Sequence, residues 1–310
     1  MQKNFSGPNF LAGFWQLADP KISLASIASI FLGACAAAKD GPVHPGWLAV
    51  TFLGIFAVEV AKNASGEIFD FDSGADSAVA PDDRSPFSGG KRVLVDGLLT
   101  RRQTILISLF FYLISIAAGL LIVYFREPAV LWLGLAGIAC AYFYHAPPFK
   151  LSYRGLGELA VAICYGPLIC TGTYLVQRGE ITSPVAWLSV PLGLFIAAFL
   201  LINEFPDYSA DRASGKKTLV VRLGRQKASR VFVMIMAIPF IILFGLPWLG
   251  LPKTVWIAAV SIFPAISACR RLLAEPEITS RIIPAQRLTL LSFVLFATGA
   301  GVGLLVTGTH

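Results

Sequence analysis

The sequence predicts an all-α membrane protein with several transmembrane helices, from its composition, the spacing of its apolar segments and the distribution of its basic residues. Of its 310 residues, 56% are hydrophobic and only 14% are charged, and the mean hydropathy is +0.71. A soluble domain cannot bury that much apolar surface, and soluble chains carry about a quarter charged residues. A soluble fold is therefore excluded, and membrane topology and anionic substrates explain the net charge of +7 better than nucleic acid does.

Nine apolar segments are predicted to cross the bilayer, whose hydrocarbon core takes about 20 helical residues. They run approximately Ile22–Ala38, Gly46–Gly66, Thr104–Tyr124, Ala129–Tyr144, Leu156–Val176, Pro184–Ile202, Val231–Trp248, Val255–Cys269 and Leu288–Thr307. The eighth contains Pro264, which the interior of a membrane bundle tolerates. No soluble domain is recognisable, so residues 1–310 are predicted to form a single integral membrane domain.

The basic residues lie mostly on one side of this topology. The N-terminus and the loops after the even-numbered spans, with their span ends, hold 21 of the 25 lysines and arginines, and the other side holds 4. By the positive-inside rule, the N-terminus and these loops lie in the cytoplasm and the C-terminus lies outside. The protein is expected in an inner or plasma membrane, with its first span serving as the insertion signal.

The sharper of two acidic motifs, Asn203-Glu-Phe-Pro-Asp207-Tyr-Ser-Ala-Asp211, follows the sixth span. Its residues at i, i+4 and i+8 advance about 40° each around a helix and therefore share one face. Stacked carboxylates repel one another, and ionised groups at the end of a membrane span are costly and usually functional. A hard cation such as Mg²⁺, which binds one or two carboxylates, water and phosphate oxygens, resolves this conflict. The alternative is a solvated loop that begins with acidic residues.

The second acidic motif runs from Asn63 to Asp76 and also ends an apolar span. Glu67 and Asp70 share a helical face at i, i+3, whereas Asp76 follows Gly74 and is expected in the loop. Two acidic clusters at the cytoplasmic ends of two spans predict a site in which two metal clusters face each other. A diphosphate is the natural ligand of such a site, because its charge needs several cations.

Basic and aromatic residues near these motifs are candidates for binding a diphosphate, although cytoplasmic loops are basic in any case. The pair Gly89-Gly90 is expected to let the backbone approach phosphate. His145 is a candidate catalytic base, but a lone histidine at a membrane boundary is more often structural. The candidate diphosphate-binding residues are Lys21, Arg84, Lys91, Arg92, Tyr144, Lys150 and Lys216.

Four motifs follow one another along the chain: Phe69–Asp76, Gly89–Leu99, Tyr153–Leu159, and Asn203–Asp211 followed by Gly215–Gly224. Together they resemble the UbiA superfamily of intramembrane aromatic prenyltransferases, and most of all its 1,4-dihydroxy-2-naphthoate polyprenyltransferase branch in menaquinone biosynthesis. The resemblance implies nine helices around a central cavity that opens towards the lipid.

The resemblance also implies a reaction and a set of residues. A polyprenyl group would pass from an isoprenyl diphosphate to an aromatic acceptor, here 1,4-dihydroxy-2-naphthoate, with Mg²⁺ as the cofactor and without an obligate protein partner. Asp70, Asp207 and Asp211 are the candidate catalytic residues. The candidate metal ligands are Glu67, Asp70, Asp76, Asn203, Asp207 and Asp211.

Two departures from the family pattern leave other functions open. Gly66 and Glu67 stand where the family usually has Asn-Asp, and Asp19-Pro20-Lys21 stands where it often has Arg-Pro-Lys. A prenyltransferase with another acceptor and a membrane terpene cyclase are therefore the alternatives. A transporter is a remote alternative, because its acidic residues would lie near mid-span rather than at one cytoplasmic face.

Overall fold

The protein is described by a computed structural model over residues 8–307, and this part of the chain is almost entirely helical. Lys3, one of the basic residues counted above, lies outside the described residues. The helices of the described part are α1 (Pro8–Ala18), α2 (Leu24–Asp40), α3 (Pro45–Ser73), α4 (Arg101–Phe125), α5 (Val130–Phe143), α6 (Gly157–Arg178), α7 (Ser183–Ala213), α8 (Leu219–Leu223), α9 (Arg225–Gly245), α10 (Ile262–Ala274) and α11 (Thr279–Thr307).

Seven helical segments between residues 8 and 307 are long and apolar enough to cross a membrane. Each overlaps one of the predicted spans, so the all-α membrane architecture is confirmed. The first and fourth predicted spans correspond to shorter helices, α2 with 17 residues and α5 with 14. Outward-facing apolar side chains such as Leu113 and Trp132, 65% and 73% exposed, are typical of a bundle surrounded by lipid.

The second and sixth predicted spans end too early, at Gly66 and Ile202, so the loops after them do not start where the sequence predicts. The helix α3 continues to Ser73 and α7 continues to Ala213, so both acidic motifs begin on helical turns. Gly74, in the left-handed conformation at φ 80°, ends α3 and donates its N–H to the Phe71 carbonyl. Hydropathy falls at the acidic residues, but the backbone stays helical because these side chains face a cavity inside the bundle.

The eighth predicted span is divided in two. Residues Lys253–Ser261 form a 3₁₀ helix, and the α-helix α10 begins only at Ile262. Pro264 is therefore the third residue of an α-helix, in the first turn, where a missing backbone N–H removes no helical hydrogen bond. Pro264 therefore does not interrupt the interior of a helix, although the sequence places it within the eighth predicted span.

A π-helical segment, Cys164–Thr171, interrupts α6 at the level of the site. Glycines bring this segment close to α7: a Cβ on Gly193 would lie 2.2 Å from the Ala162 carbonyl oxygen, and one on Gly166 would lie 2.9 Å from that of Ser189. Such small-residue contacts let membrane helices approach closely. Short π-helical segments occur often at functional sites, and this one carries Tyr165 towards the interior.

The main core packs α7 against α9 and α11. Phe195 of α7 is fully buried, with its ring centroid 5.4 Å from that of Phe240 and 5.3 Å from that of Phe296. Aromatic pairs at these distances stabilise the packing beyond the area that they bury. These contacts hold α7 against its neighbours and so help to position the acidic residues near its C-terminal end.

Candidate active site

Both acidic motifs border the same cavity, of about 570 Å³, between the ends of α3 and α7. The sequence predicted that they would face each other, and the structure brings all six candidate metal ligands to the lining of this polar cavity. These residues are Glu67, Asp70, Asp76, Asn203, Asp207 and Asp211.

Asp70, on α3, is held by groups from two other segments. The Tyr153 hydroxyl donates to its Oδ1 at 2.6 Å, and Lys216 Nζ donates to its Oδ2 at 3.4 Å. Lys216 Nζ also lies 3.8 Å from Asp211 Oδ1, so one ammonium group joins the two motifs. Burial opposes its charge, but the carboxylates of Asp70 and Asp211 outweigh it and raise the pKa of Lys216 well above its ordinary value.

Glu67 and Asp76 form the buried part of the first motif, at 2% and 5% exposure. Glu67 Oε1 accepts the Leu94 backbone N–H at 2.9 Å, whereas its Oε2 has no partner in the described residues. Burial, together with the nearby carboxylates of Asp70 and Glu67, raises the pKa of Asp76 to about 8. Asp76 therefore holds a proton at neutral pH unless a cation replaces it.

Gly90 is required by the close approach of the loop to Asp76. Its φ is +75°, and a Cβ there would lie 2.2 Å from Asp76 Oδ1. The glycine thus allows the backbone to reach this carboxylate. Its approach to a phosphate stays a prediction.

The motif on α7 has fewer protein partners. Within the described part of the chain, the buried oxygens Asn203 Oδ1 and Asp207 Oδ1 accept no hydrogen bond. Asp211 is 5% exposed and has Lys216 as its neighbour. Buried oxygens without a donor are unfavourable by about 1–3 kcal/mol each, and a cation that prefers oxygen ligands would satisfy them.

The donor set fits Mg²⁺ only if an anion shares the coordination. No group of three or more His, Cys, Asp or Glu side chains in residues 8–307 is arranged to hold a metal ion alone. Mg²⁺ typically uses one or two carboxylates, with water and substrate phosphates as the remaining ligands. Carboxylate and amide oxygens on opposite sides of one cavity meet that requirement, because a diphosphate between them would supply the missing oxygens.

His145 occupies the space that a side chain at position 66 would need. A Cβ on Gly66 would lie 2.5 Å from His145 Cε1 and 2.8 Å from its Nδ1. Burial lowers the pKa of His145 to about 4, so its imidazole is neutral at pH 7. Its Nε2 lies 3.8 Å from Asp70 Oδ2, a contact that is not an ion pair at that pH. The glycine at position 66, where the family pattern has a larger residue, thus leaves room for the His145 imidazole beside Asp70.

A second cavity, of about 410 Å³ and lined mainly by aliphatic side chains, lies between α3, α4, α5 and α6. It meets the polar cavity at four residues that line both, namely Lys62, Tyr144, Val161 and Tyr165. The site therefore has a polar end with the two acidic motifs and an apolar end inside the bundle.

Four of the seven predicted diphosphate-binding residues line the polar cavity: Lys21, Lys91, Tyr144 and Lys216. Lys91 Nζ forms an ion pair with Asp19, and burial lowers the pKa of Lys91 in spite of that pair. Lys21 Nζ donates to the Pro86 carbonyl at 3.2 Å. Asp19, the residue that departs from the family's Arg-Pro-Lys pattern, thus neutralises a lysine of the cavity wall.

The other three, Arg84, Arg92 and Lys150, are not part of the lining of this cavity. Arg92 donates to the Asp76 carbonyl at 2.6 Å and pairs with Asp96 at 3.1 Å, so its guanidinium supports the loop. Lys150 Nζ lies 5.3 Å from the centroid of the Tyr153 ring, and Arg84 is exposed. These contacts do not support direct binding of a diphosphate by the three residues.

Sequence comparisons identify the family. The chain matches the UbiA prenyltransferase family over residues 26–277. The protein belongs to that family. Among curated relatives, it is 26% identical to a 1,4-dihydroxy-2-naphthoate octaprenyltransferase of Bacillus subtilis over 94% of this chain and 92% of the relative. It is 30% identical to a 2-carboxy-1,4-naphthoquinone phytyltransferase of Synechocystis over 69% and 67% of the two chains.

Solved structures show the same fold. A UbiA homolog from Aeropyrum pernix K1 superposes with a TM-score of 0.70 at 20% identity, over 89% of this chain and 96% of that one. A UbiA homolog from Archaeoglobus fulgidus, solved with GPP and Mg²⁺, superposes with a TM-score of 0.61 at 14% identity, over 93% and 99%. The predicted resemblance, the enzyme class and the membrane location of this UbiA prenyltransferase are confirmed.

Sequence reasoning missed two residues of the UbiA prenyltransferase site. The charge pattern of the sequence places Lys62 only among the basic residues of one membrane side, whereas the structure places it within α3 at the junction of the two cavities. A lysine next to a long apolar helical segment could have indicated it, because intramembrane charges are usually functional. Tyr153 was noticed only as part of a motif, and its contact with Asp70 joins residues 83 positions apart, which no local pattern reveals.

Proposed function

We propose that this UbiA prenyltransferase requires Mg²⁺ and transfers a polyprenyl group from an isoprenyl diphosphate to 1,4-dihydroxy-2-naphthoate. The observation that carries the proposal is the pair of acidic helix ends at one polar cavity that adjoins an apolar one. Two oxygen-rich motifs suit a diphosphate with its cations, and the apolar extension suits a prenyl chain. The name of the Bacillus relative supports the acceptor, and the Archaeoglobus homolog solved with GPP and Mg²⁺ supports the cofactor.

The two acidic motifs would hold the cations. Bound there, Mg²⁺ would neutralise the diphosphate as it leaves and so lower the barrier to ionisation. Lys216, between the motifs, would add a fixed positive charge next to the leaving group, and Lys21 and Lys91 would face it from the opposite wall. The proposed ligands are Asp70, Asp76 and Glu67 on one side and Asn203, Asp207 and Asp211 on the other.

The apolar cavity would hold the prenyl chain and keep water from the allylic cation. The rings of Tyr144 and Tyr165, at the junction, can stabilise that cation with their faces. The electron-rich ring of the acceptor then forms the new C–C bond. Loss of CO₂ from the naphthoate then restores the aromatic system. The electron pair of the bond between the ring and the carboxylate carbon returns to the ring, so no external oxidant or reductant is needed.

The topology belongs to the same proposal. The helices α2 and α5 would cross the membrane with the seven longer segments, which makes nine crossings of one domain over residues 1–310, with a cavity open to lipid. The acidic helix ends and the N-terminus would lie in the cytoplasm and the C-terminus outside, in the inner or plasma membrane. Labelling of a tag after His310 from outside intact cells tests this orientation, and labelling only after the cells are opened would contradict it.

The decisive experiment supplies purified protein in nanodiscs with geranylgeranyl diphosphate, Mg²⁺ and 1,4-dihydroxy-2-naphthoate, followed by mass spectrometry. We expect a prenylated naphthoquinol that disappears with EDTA. Diphosphate release without this product would indicate that the acceptor is another aromatic compound. A cyclised hydrocarbon formed without any acceptor would instead indicate a terpene cyclase. No turnover of prenyl diphosphates of several chain lengths would reject the proposed reaction.

A further inference from the structure

Lys62 is a half-buried cation at the junction of the polar and the apolar cavity. It lies on α3, one helical turn before Gly66, with its Nζ 5.6 Å from the centroid of the Tyr144 ring. None of the ion pairs formed by residues 8–307 includes it. An ammonium group inside a membrane bundle is unfavourable unless an anion compensates it, and the reaction proposed above has so far no use for this one.

Glu59, three residues before Lys62 on α3, already has other hydrogen-bond partners. It is 6% exposed, its Oε1 accepts the Tyr165 hydroxyl at 2.8 Å and its Oε2 accepts the Ser26 hydroxyl at 3.0 Å. Glu59 attracts Lys62 through space from one turn away, without a direct hydrogen bond. The Lys62 ammonium group therefore keeps donors that can bind an anion from the cavity.

The position of Lys62 coincides with the place where the acceptor must approach. The acidic motifs hold the diphosphate at the polar end, and the apolar cavity takes the prenyl chain. The first carbon of that chain, which forms the new bond, then lies at the junction lined by Lys62, Tyr144 and Tyr165. An aromatic ring that attacks this carbon comes within reach of the ammonium group and the two tyrosine rings.

We infer that Lys62 binds the carboxylate of an aromatic acid acceptor, and that Tyr144 and Tyr165 flank its ring. This inference rests on the proposed function for the acceptor's chemical class. Glu59 compensates the charge of Lys62 only in part, and a carboxylate of the acceptor would complete that compensation. The hydrogen bond between them would be charge-assisted, and such bonds are shorter and stronger than neutral ones. The site accordingly selects an aromatic carboxylate over the same ring without its carboxyl group.

The test compares two ligands that differ only in the carboxyl group, 1-hydroxy-2-naphthoate and 1-naphthol. Their binding to the full-length protein in nanodiscs is measured by fluorescence titration, without prenyl diphosphate, so that no turnover is needed. We expect Lys62→Met to weaken the naphthoate by about 10- to 100-fold, as loss of a hydrogen bond to a charged group predicts, and to leave 1-naphthol within about 2-fold. Lys62→Arg keeps the charge and is expected to restore most of the naphthoate binding.

Lys39→Met serves as the matched control. This lysine pairs with Asp40 at the C-terminal end of α2 and lines neither cavity. Equal weakening of both ligands by Lys62→Met would overturn the inference in favour of a packing role. In turnover assays, a raised KM for the prenyl diphosphate instead of the acceptor would overturn it in favour of diphosphate binding. If the double variant Glu59→Gln/Lys62→Met binds naphthoate like the wild type, Lys62 only neutralises Glu59, and the inference fails.

The proposed reaction can fail separately. If the wild-type protein does not prenylate 1,4-dihydroxy-2-naphthoate, the same titrations are run with benzoates and their decarboxylated partners. A carboxylate preference that disappears in Lys62→Met would then support the anion site with a different acceptor. Absence of any Lys62-dependent preference across these pairs would reject it.

Discussion

The two acidic helix ends use similar residues but differ in how many protein partners they already have. On α3, Asp70 accepts hydrogen bonds from Tyr153 and Lys216, and Glu67 accepts one from a backbone N–H. On α7, Asn203 and Asp207 each have a buried oxygen with no donor among the described residues. The unpaired oxygens of Asn203 and Asp207 can therefore bind a cation without losing a hydrogen bond, whereas Asp70 must exchange its contacts with Tyr153 and Lys216 for metal ligands. We expect the α7 end to determine metal affinity and the α3 end to respond to the substrate.

The largest effect is expected from Asp207→Ala on α7. The change removes a carboxylate whose Oδ1 has no protein partner and is free for a cation. Loss of a group that stabilises charge in a buried site lowers turnover by about 100- to 1,000-fold. Mg²⁺ titrations of the turnover rate check it, and Asp207→Asn, which keeps the volume, separates charge from packing. Activity within a few-fold of wild type would show that the α7 end is not the principal cation site.

Lys216→Met removes the ammonium group that joins the two ends. Its Nζ lies 3.4 Å from Asp70 Oδ2 and 3.8 Å from Asp211 Oδ1, so both carboxylates lose their common partner. Breaking a buried charge contact costs about 2–5 kcal/mol. Because the side chains of Lys216 and Asp70 are only half-buried, we expect the lower end of that range, a loss of roughly 30- to 100-fold in kcat/KM for the prenyl diphosphate. Lys217 is the next residue and is exposed, so Lys217→Met is the matched control. Equal effects of the two variants would argue against the bridging role.

Asp76 makes the α3 end sensitive to pH. Its pKa of about 8 lies above that of the unfolded chain, so the folded protein retains a proton that the unfolded chain loses between about pH 4 and 8. The contribution of this group to metal-free stability therefore falls as the pH rises through that range. A cation must displace the same proton, so apparent Mg²⁺ affinity should rise about 25-fold from pH 6.5 to 8.5.

Titration of Mg²⁺ at several pH values, with Asp76→Asn as the comparison, measures this effect. The asparagine variant carries no titrating proton at this position, so its apparent affinity should change much less over the same range. An equal pH dependence of wild type and variant would assign the proton to another group. Thermal unfolding of the metal-free protein at pH 5 and pH 8 gives an independent check of the sign.

Gly66→Ala tests the contact that replaces the family's usual asparagine. The new Cβ would lie 2.5 Å from His145 Cε1, so the imidazole has to move away from Asp70. Overpacking of this kind costs about 1–3 kcal/mol, and we expect turnover to fall about 10-fold. On the same helix, Gly46→Ala adds a Cβ that meets nothing within 4 Å and should leave turnover unchanged.

The double variant Gly66→Ala/His145→Ala distinguishes two roles of the imidazole. If His145 only fills space, removing it relieves the collision and restores wild-type turnover. If it also orients Asp70, the double variant keeps the deficit of His145→Ala alone. No improvement of the double variant over Gly66→Ala would mean that the collision is not the cause of the defect.

The parts of the site that the sequence predicted are those set by local periodicity. Asn203, Asp207 and Asp211 share a helical face because their spacing is four residues, and α7 is helical through all three. The same reasoning gave the wrong start for the loops, since falling hydropathy marks where side chains leave the lipid and not where the helix ends. Seven of the spans were predictable because lipid demands long apolar helices.

The contacts that distinguish the two helix ends depend on packing between distant segments. Tyr153 is 83 residues from Asp70, and Lys216 is 146 residues from it. Gly66 lies on α3 and His145 lies in the turn after α5, and a single sequence contains no signal that pairs them. The contacts of Arg92 and Lys150 could not be predicted for the same reason, because a basic loop residue can point to a cavity, a carbonyl or a ring.

The smallest effect is expected from Asp72→Asn, which compares an exposed carboxylate of α3 with the cavity-lining Asp70 on the same helix. Asp72 lies two residues after Asp70 in the same motif, but it is exposed, pairs with the exposed Arg101 at 2.9 Å and does not line the polar cavity. Exposed pairs of this kind contribute little to stability, so turnover and thermal stability should stay close to wild type, within about 2-fold for the rate. The same measurements on Asp70→Asn should show a large loss of turnover. If Asp72→Asn were as damaging as Asp70→Asn, the cavity would not be what separates functional from solvated carboxylates at this helix end.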